Sequence, residues 1–60
     1  MPLSHEQHLW ACAVAIERLH GARAPTFVAE RIGALALAGD AAGIARWKAI
    51  AARMARLAPQ

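Results

Sequence analysis

Alanine occupies 17 of the 60 positions of this chain, and this feature constrains the fold most strongly. Alanine is the best helix former, but its side chain contributes little buried area. A chain of this length buries only about 60% of the surface that its unfolded form exposes. Each large apolar side chain therefore matters for stability, and we expect residues 1–60 to form a single domain.

A single cysteine, Cys12, excludes an internal disulfide bond. Small domains usually gain stability from a disulfide, a metal or a partner chain, so we expect a homo-oligomer, most simply a dimer. A chain without a disulfide framework suits a reducing compartment, and we expect a cytoplasmic protein. No uncharged apolar stretch approaches the roughly 20 residues of a membrane span, and no basic segment typical of a secretory signal precedes Leu9.

Helix boundaries are signalled by capping residues. Ser4 and Gln7 form a capping-box pattern that predicts the start of a first helix. Pro25 suits the first position of a second helix, because its missing N–H would have no helical partner there. Gly39 and Asp40 combine a residue that ends a helix with one that begins the next.

These signals predict three helices, over about residues 5–20, 25–38 and 41–57. No segment alternates apolar and polar residues with β-branched enrichment, so no strand is expected. The fold class is therefore all-α. Short connections favour a three-helix bundle or an open three-helix array.

The apolar residues exceed what one central core accommodates. At 100° per residue, the main arc of the first helix comprises Leu9, Cys12, Ala13, Ile16 and Leu19. Trp10 and Val14 lie on another side of that helix, and Leu37 lies at a flank of the second. The third helix has a stripe that includes Trp47 and ends at Leu57. We therefore expect Trp10, Val14 and Leu37 to belong to an interface with a partner.

The segment that contains His5, His8 and Cys12 resembles a metal-binding helix only superficially. A zincin helix needs two histidines at i and i+4, whereas His5 and His8 are three residues apart. His8 and Cys12 have the right spacing, but further ligands are not evident. We expect no metal, no cofactor and no catalytic residues, because the acidic residues are scattered and Ser4 is used as a cap.

Positive charge is concentrated in the third helix. Residues 41–60 hold four basic residues and no acidic one. These residues, Arg46, Lys48, Arg53 and Arg56, are candidates for contacts with nucleic-acid phosphates. The helix lacks Asn, Gln, Ser and Thr for reading bases, and a solvated basic face is the commoner explanation. Nucleic-acid binding is therefore the alternative function.

The run LWACAVAIERLHGARAPTFVAERIGALALAGDAAGIARWKAIAARMARL covers nearly the whole chain. It resembles a family of short, uncharacterised bacterial helical proteins. In that family a tryptophan near the start, an HG break, a GD turn and a following tryptophan recur. The resemblance implies a compact helical structure and no known activity or catalytic residues.

The hypothesis that these patterns favour is a small helical protein-interaction module without catalytic activity. We expect it to self-associate through Trp10, Val14 and apolar residues of the second helix, and another protein is an alternative partner.

Overall fold

A computed structural model describes residues 2–57 of the chain. Helix α1 spans His5–His20, α2 spans Ala24–Leu37 and α3 spans Ala41–Leu57, and a 3₁₀ turn at Gly21–Arg23 joins the first two. Within residues 2–57 there is no β-strand. The predicted all-α class is therefore confirmed. Met1 and residues 58–60 of the predicted domain lie outside the described residues.

Helix α1 begins with the predicted capping box. The hydroxyl of Ser4 accepts from the backbone N–H of Gln7 at 3.1 Å, and the Gln7 side chain accepts from the Ser4 backbone N–H at 3.0 Å. Two N–H groups near the helix start are thereby satisfied.

The junction of α1 and α2 is a bend and not a break. Gly21 has φ +54°, a conformation that L side chains rarely adopt, and its N–H donates to the carbonyl of Glu17. The chain then continues through the 3₁₀ turn directly into α2, so no loop separates the two helices. Helix α2 begins at Ala24, one residue before the predicted Pro25, since proline is also tolerated at the second position of a helix's first turn.

Gly39 and Asp40 separate α2 from α3 as predicted. Gly39 has φ +73°, and the N–H groups of Gly39 and Asp40 donate to the carbonyls of Ala36 and Leu35 in a Schellman motif. The Asp40 carboxylate accepts from the backbone N–H of Gly43 at 2.8 Å and caps α3.

Helix α3 provides the packing surface for the rest of the chain. It contacts α1 and α2 more extensively than those two helices contact each other. The buried core at this junction comprises Leu9, Ala13, Ile16, Ala24, Val28, Ile50 and Met54. Three of these seven residues, Ala13, Ala24 and Val28, have small or medium-sized side chains, so the core has little volume. The molecule measures 31 × 29 × 18 Å.

Some residues expected in the core lie elsewhere. Leu19 is 79% exposed and Leu57 is 41% exposed, whereas Cys12 and Trp47 are half-buried against the core. The wrong prediction for Leu19 has a geometric cause: on a helix it lies about 80° away from Leu9, and neither α2 nor α3 covers that side.

Candidate functional site

An apolar groove of about 270 Å³ lies beside the core, between α2 and α3. Its lining consists of seven apolar residues and one carboxylate: Glu17, Pro25, Val28, Ala29, Ile32, Ala51, Met54 and Ala55. We call it the α2–α3 groove. Its volume falls just below the roughly 300–1,000 Å³ of typical small-molecule sites. A groove of this size and character suits a few apolar side chains of another protein.

The side of α2 that points away from the core carries apolar residues among polar ones, since Thr26 and Glu30 are also exposed there. Ala29, Gly33 and Leu37 follow one another at intervals of four residues, so they share one side of the helix. All three are exposed, and Leu37 is 94% exposed. We call these three residues the α2 outer face; Ala29 also lines the α2–α3 groove.

Trp10, a predicted interface residue, packs against two of the predicted nucleic-acid contacts. The guanidinium carbons of Arg53 and Arg56 lie 6.0 Å and 5.7 Å from the centre of its ring. These distances are typical of cation–π interactions. Trp10 and Val14 are half-buried on α1, while Leu37 lies at the end of a different helix. The first predicted interface residue thus has partners within its own chain.

Arg53 is held by further contacts. Its guanidinium forms a salt bridge with Glu6 and donates to the carbonyl of Ala49 at 2.7 Å. Its side chain is only 19% exposed. The hydrogen bond and positive charge of Arg53 lower the pKa of the Glu6 carboxyl below its ordinary value, with smaller effects from His5 and Trp10.

The remaining basic residues of α3 are accessible. Arg46, Lys48 and Arg56 are exposed, although Arg56 also lies over the Trp10 ring. The four predicted phosphate contacts therefore do not form one free basic face, because Arg53 is engaged by Glu6 and Ala49.

A second groove, of about 330 Å³, lies between α1 and α3. It is lined by His8, Cys12, Ala15, Ile16, Arg46, Trp47 and Ile50. The Nε2 atom of His8 lies 3.7 Å from the Sγ atom of Cys12, as their spacing of four residues predicts. Among residues 2–57, no three His, Cys, Asp or Glu side chains are grouped in a way that could hold a metal ion.

Aromatic rings connect the α1–α2 junction to α3. His20 stacks on Phe27 with 4.0 Å between ring centres, and Phe27 meets Trp47 edge to face at 6.0 Å. The guanidinium of Arg31 lies 5.7 Å from the Trp47 ring. The sequence did not predict this cluster, because the contact of His20 with Phe27 depends on the direction that the chain takes at Gly21.

Across residues 2–57, no helix has both the length and the apolar character needed to cross a membrane.

Comparison with known proteins gives a family but no activity. Neither the curated proteins nor the solved structures contain a match to the chain. Residues 5–60 match the model described as a family of unknown function, DUF6961. This match confirms the predicted resemblance to a family of uncharacterised proteins. Because it spans nearly the whole sequence, the chain belongs to the DUF6961 family.

Proposed function

We propose that this chain is a protein-interaction module that self-associates as a homodimer. The observation that carries the proposal is the exposure of two large apolar side chains, Leu19 on α1 and Leu37 on α2. A chain of 6.4 kDa has a small core, so an interface that covers such side chains would add to its stability.

Both leucine side chains are largely exposed. Leu19 is 79% exposed and Leu37 is 94% exposed, although leucine is among the residues most often buried. Of the three predicted interface residues, Leu37 supports the proposal best, since Trp10 and Val14 are already half-buried.

We further propose that the three helical segments act as an open three-helix array and not as a closed bundle. The 18 Å thickness of the molecule and the weaker contact between α1 and α2 support this view. An open array leaves helix faces available to a partner.

The proposal includes no catalytic activity and no cofactor. Glu6 is paired with Arg53, and Asp40 caps α3, so both acids have structural roles. Glu17 stands alone in an apolar groove wall, with no nucleophile among the groove residues.

Nucleic-acid binding is the alternative. The exposed side chains of Arg46, Lys48 and Arg56 favour it, since each can neutralise a phosphate. The engagement of Arg53 with Glu6 weighs against it. We therefore rank it second.

Sedimentation equilibrium over a dilution series tests the proposal directly. We expect a dimer at high protein concentration that dissociates on dilution, with a melting temperature that rises with concentration. A monomer with an unchanged melting temperature at all concentrations would overturn the proposal.

A further inference from the structure

The groove between α1 and α3 combines a cation with an apolar wall. Arg46 lines it together with Trp47, Ile16 and Ile50, and its volume is about 330 Å³. We call it the α1–α3 groove. This volume lies at the lower end of the roughly 300–1,000 Å³ of typical small-molecule sites. A cavity of about 150 Å³ already holds benzene, so the groove has room for a small apolar body with a polar head.

Arg46 is available to bind an anion. The only salt bridge within residues 2–57 joins Glu6 to Arg53, so Arg46 has no carboxylate partner there. Its side chain is exposed and borders the groove. A guanidinium binds a carboxylate through two parallel hydrogen bonds, which are stronger than hydrogen bonds between neutral groups. A carboxylate at the edge of the groove would therefore satisfy Arg46.

The carboxylates of the chain itself lie elsewhere. Glu6 is paired with Arg53, and Asp40 caps α3. Glu17 lines the α2–α3 groove, and Glu30 is exposed on α2. These four are all the acidic residues of the sequence, and none of them lines the α1–α3 groove. No carboxylate of the chain therefore competes for Arg46 inside this groove.

A second guanidinium lies close to the groove wall. Arg31 of α2 lies 5.7 Å from the centre of the Trp47 ring. The α2–α3 groove, in contrast, contains the carboxylate of Glu17 and no cation. The charges of the two grooves thus favour ligands of opposite sign.

We propose that the α1–α3 groove binds a small organic carboxylate with an apolar body. The carboxylate pairs with Arg46, and the body packs against Ile16, Ile50 and the Trp47 ring. This inference goes beyond the proposed self-association and does not rest on it, because neither Leu19 nor Leu37 lines the groove.

Titration of the isotope-labelled chain with hexanoate, followed by NMR, tests the proposal. Hexanoate should shift the indole N–H signal of Trp47 and leave that of Trp10 nearly unchanged, because Trp10 does not line the groove. Hexanol and hexylamine have the same apolar body without the negative charge, and they should bind about tenfold more weakly. Inorganic phosphate has the charge without the body and should cause no saturable shift.

Two pairs of variants separate the role of charge from that of space. Arg46→Gln should weaken hexanoate binding about tenfold. Lys48→Gln removes the same charge from an exposed position of α3 outside the groove and should have little effect. Ala15→Leu fills part of the α1–α3 groove and should weaken binding, whereas Ala55→Leu adds the same bulk to the α2–α3 groove and should not. Circular dichroism establishes that each variant is folded.

Cys12 provides a second readout in the wild-type chain, because its half-buried thiol lines the same groove. Alkylation of Cys12 by the neutral reagent iodoacetamide should slow when hexanoate is bound. Hexylamine at the same concentration should give no such protection, and Arg46→Gln should remove the protection by hexanoate.

Three results would overturn the site: no binding of hexanoate, equal binding of hexanoate and hexylamine, or hexanoate binding that Arg46→Gln and Ala15→Leu leave unchanged. Shifts at Ala29 and Ile32 in place of Trp47 would put the ligand in the α2–α3 groove and would also overturn it. The proposed homodimer is judged separately by sedimentation, since a monomeric chain can still bind hexanoate and a dimer can fail to.

Discussion

Glu6 and Arg53 lie 47 residues apart in the sequence and form a salt bridge that joins the first turn of α1 to the last part of α3. The same guanidinium donates to the Ala49 carbonyl and lies over the Trp10 ring. One side chain thus fixes how α3 lies against α1. The most basic helix thereby uses one of its cations for the fold.

This pair predicts how stability depends on pH. The pKa of Glu6 is lowered in the folded chain, so its contribution is present above the ordinary glutamate value of about 4.3 and is lost as the pH falls through the folded value. The wild type should melt slightly above Glu6→Gln, and the difference should be small because the carboxylate is 58% exposed. This difference in melting temperature should decrease as the pH falls through that acid range.

The control for this experiment is Glu30→Gln, which removes the same charge from an exposed site on α2. As the pH is lowered from 7 into the acid range, the difference in melting temperature between the wild type and Glu30→Gln should not change in the way that it does for Glu6→Gln. Equal curves for the two variants would show that net charge, and not the pair with Arg53, causes the effect.

Two leucines on α1 give a matched test of the core. Leu9 is 3% exposed and Leu19 is 79% exposed. Leu9→Ala should destabilise the chain by about 2–5 kcal/mol, since it removes buried surface and leaves a cavity. Leu19→Ala should change the free energy of unfolding of the separate subunit, measured at high dilution, by no more than about 0.5 kcal/mol. Urea titrations followed by circular dichroism measure both changes. Similar losses of stability in the two variants would contradict the exposed position of Leu19.

The sequence predicted the helices well because their boundaries depend on local signals. Ser4 and Asp40 act on backbone groups within three residues, and the observed helices begin and end within one residue of the predicted positions. The bend at Gly21 was missed, because a glycine that ends one helix does not reveal whether another begins immediately.

The candidate site was less predictable because it depends on how the helices cross. Helical spacing placed His8 next to Cys12 and left Leu37 outside the core, as observed. It gave no indication that Arg53 reaches Glu6, because the pair joins two helices whose relative orientation periodicity does not determine. The α2–α3 groove likewise arises from that crossing.

Zinc should not stabilise the chain. His8 and Cys12 supply two ligands 3.7 Å apart, whereas structural zinc sites use four. We expect equal melting temperatures with zinc and with a chelator at the same protein concentration. A zinc-dependent increase that Cys12→Ser abolishes would contradict this expectation.

Any binding to nucleic acid should be weak and should fall with salt. Three exposed cations, Arg46, Lys48 and Arg56, predict a slope of about −2.7 for the logarithm of the binding constant against that of the salt concentration. Lys48→Ala should reduce the slope by about 0.9, whereas Arg53→Ala should change it little. Fluorescence anisotropy with labelled duplex DNA measures this, and tight binding at about 150 mM salt would favour the alternative function.

The glycines of α2 and α3 should respond differently to alanine. At Gly33 a Cβ meets open space, so Gly33→Ala should stabilise the subunit by up to about 1 kcal/mol. At Gly43 a Cβ would lie 2.6 Å from the Asp40 Oδ2 atom, so the carboxylate must move and its cap on α3 is weakened. Loss of a cap costs about 1 kcal/mol, which offsets the gain in helix propensity.

We therefore expect Gly33→Ala to melt above Gly43→Ala when both are measured at high dilution, where the subunits are separate. A difference of about 1 kcal/mol corresponds to roughly 4–8 °C in a domain of this size. In an Asp40→Ala background the contact with the carboxylate disappears, and the Leu35 Cδ2 atom, 3.0 Å from the Cβ position, remains close. Gly43→Ala should therefore be less unfavourable in that background than in the wild type. A Gly43→Ala effect that is unchanged in that background would show that Asp40 is not the cause.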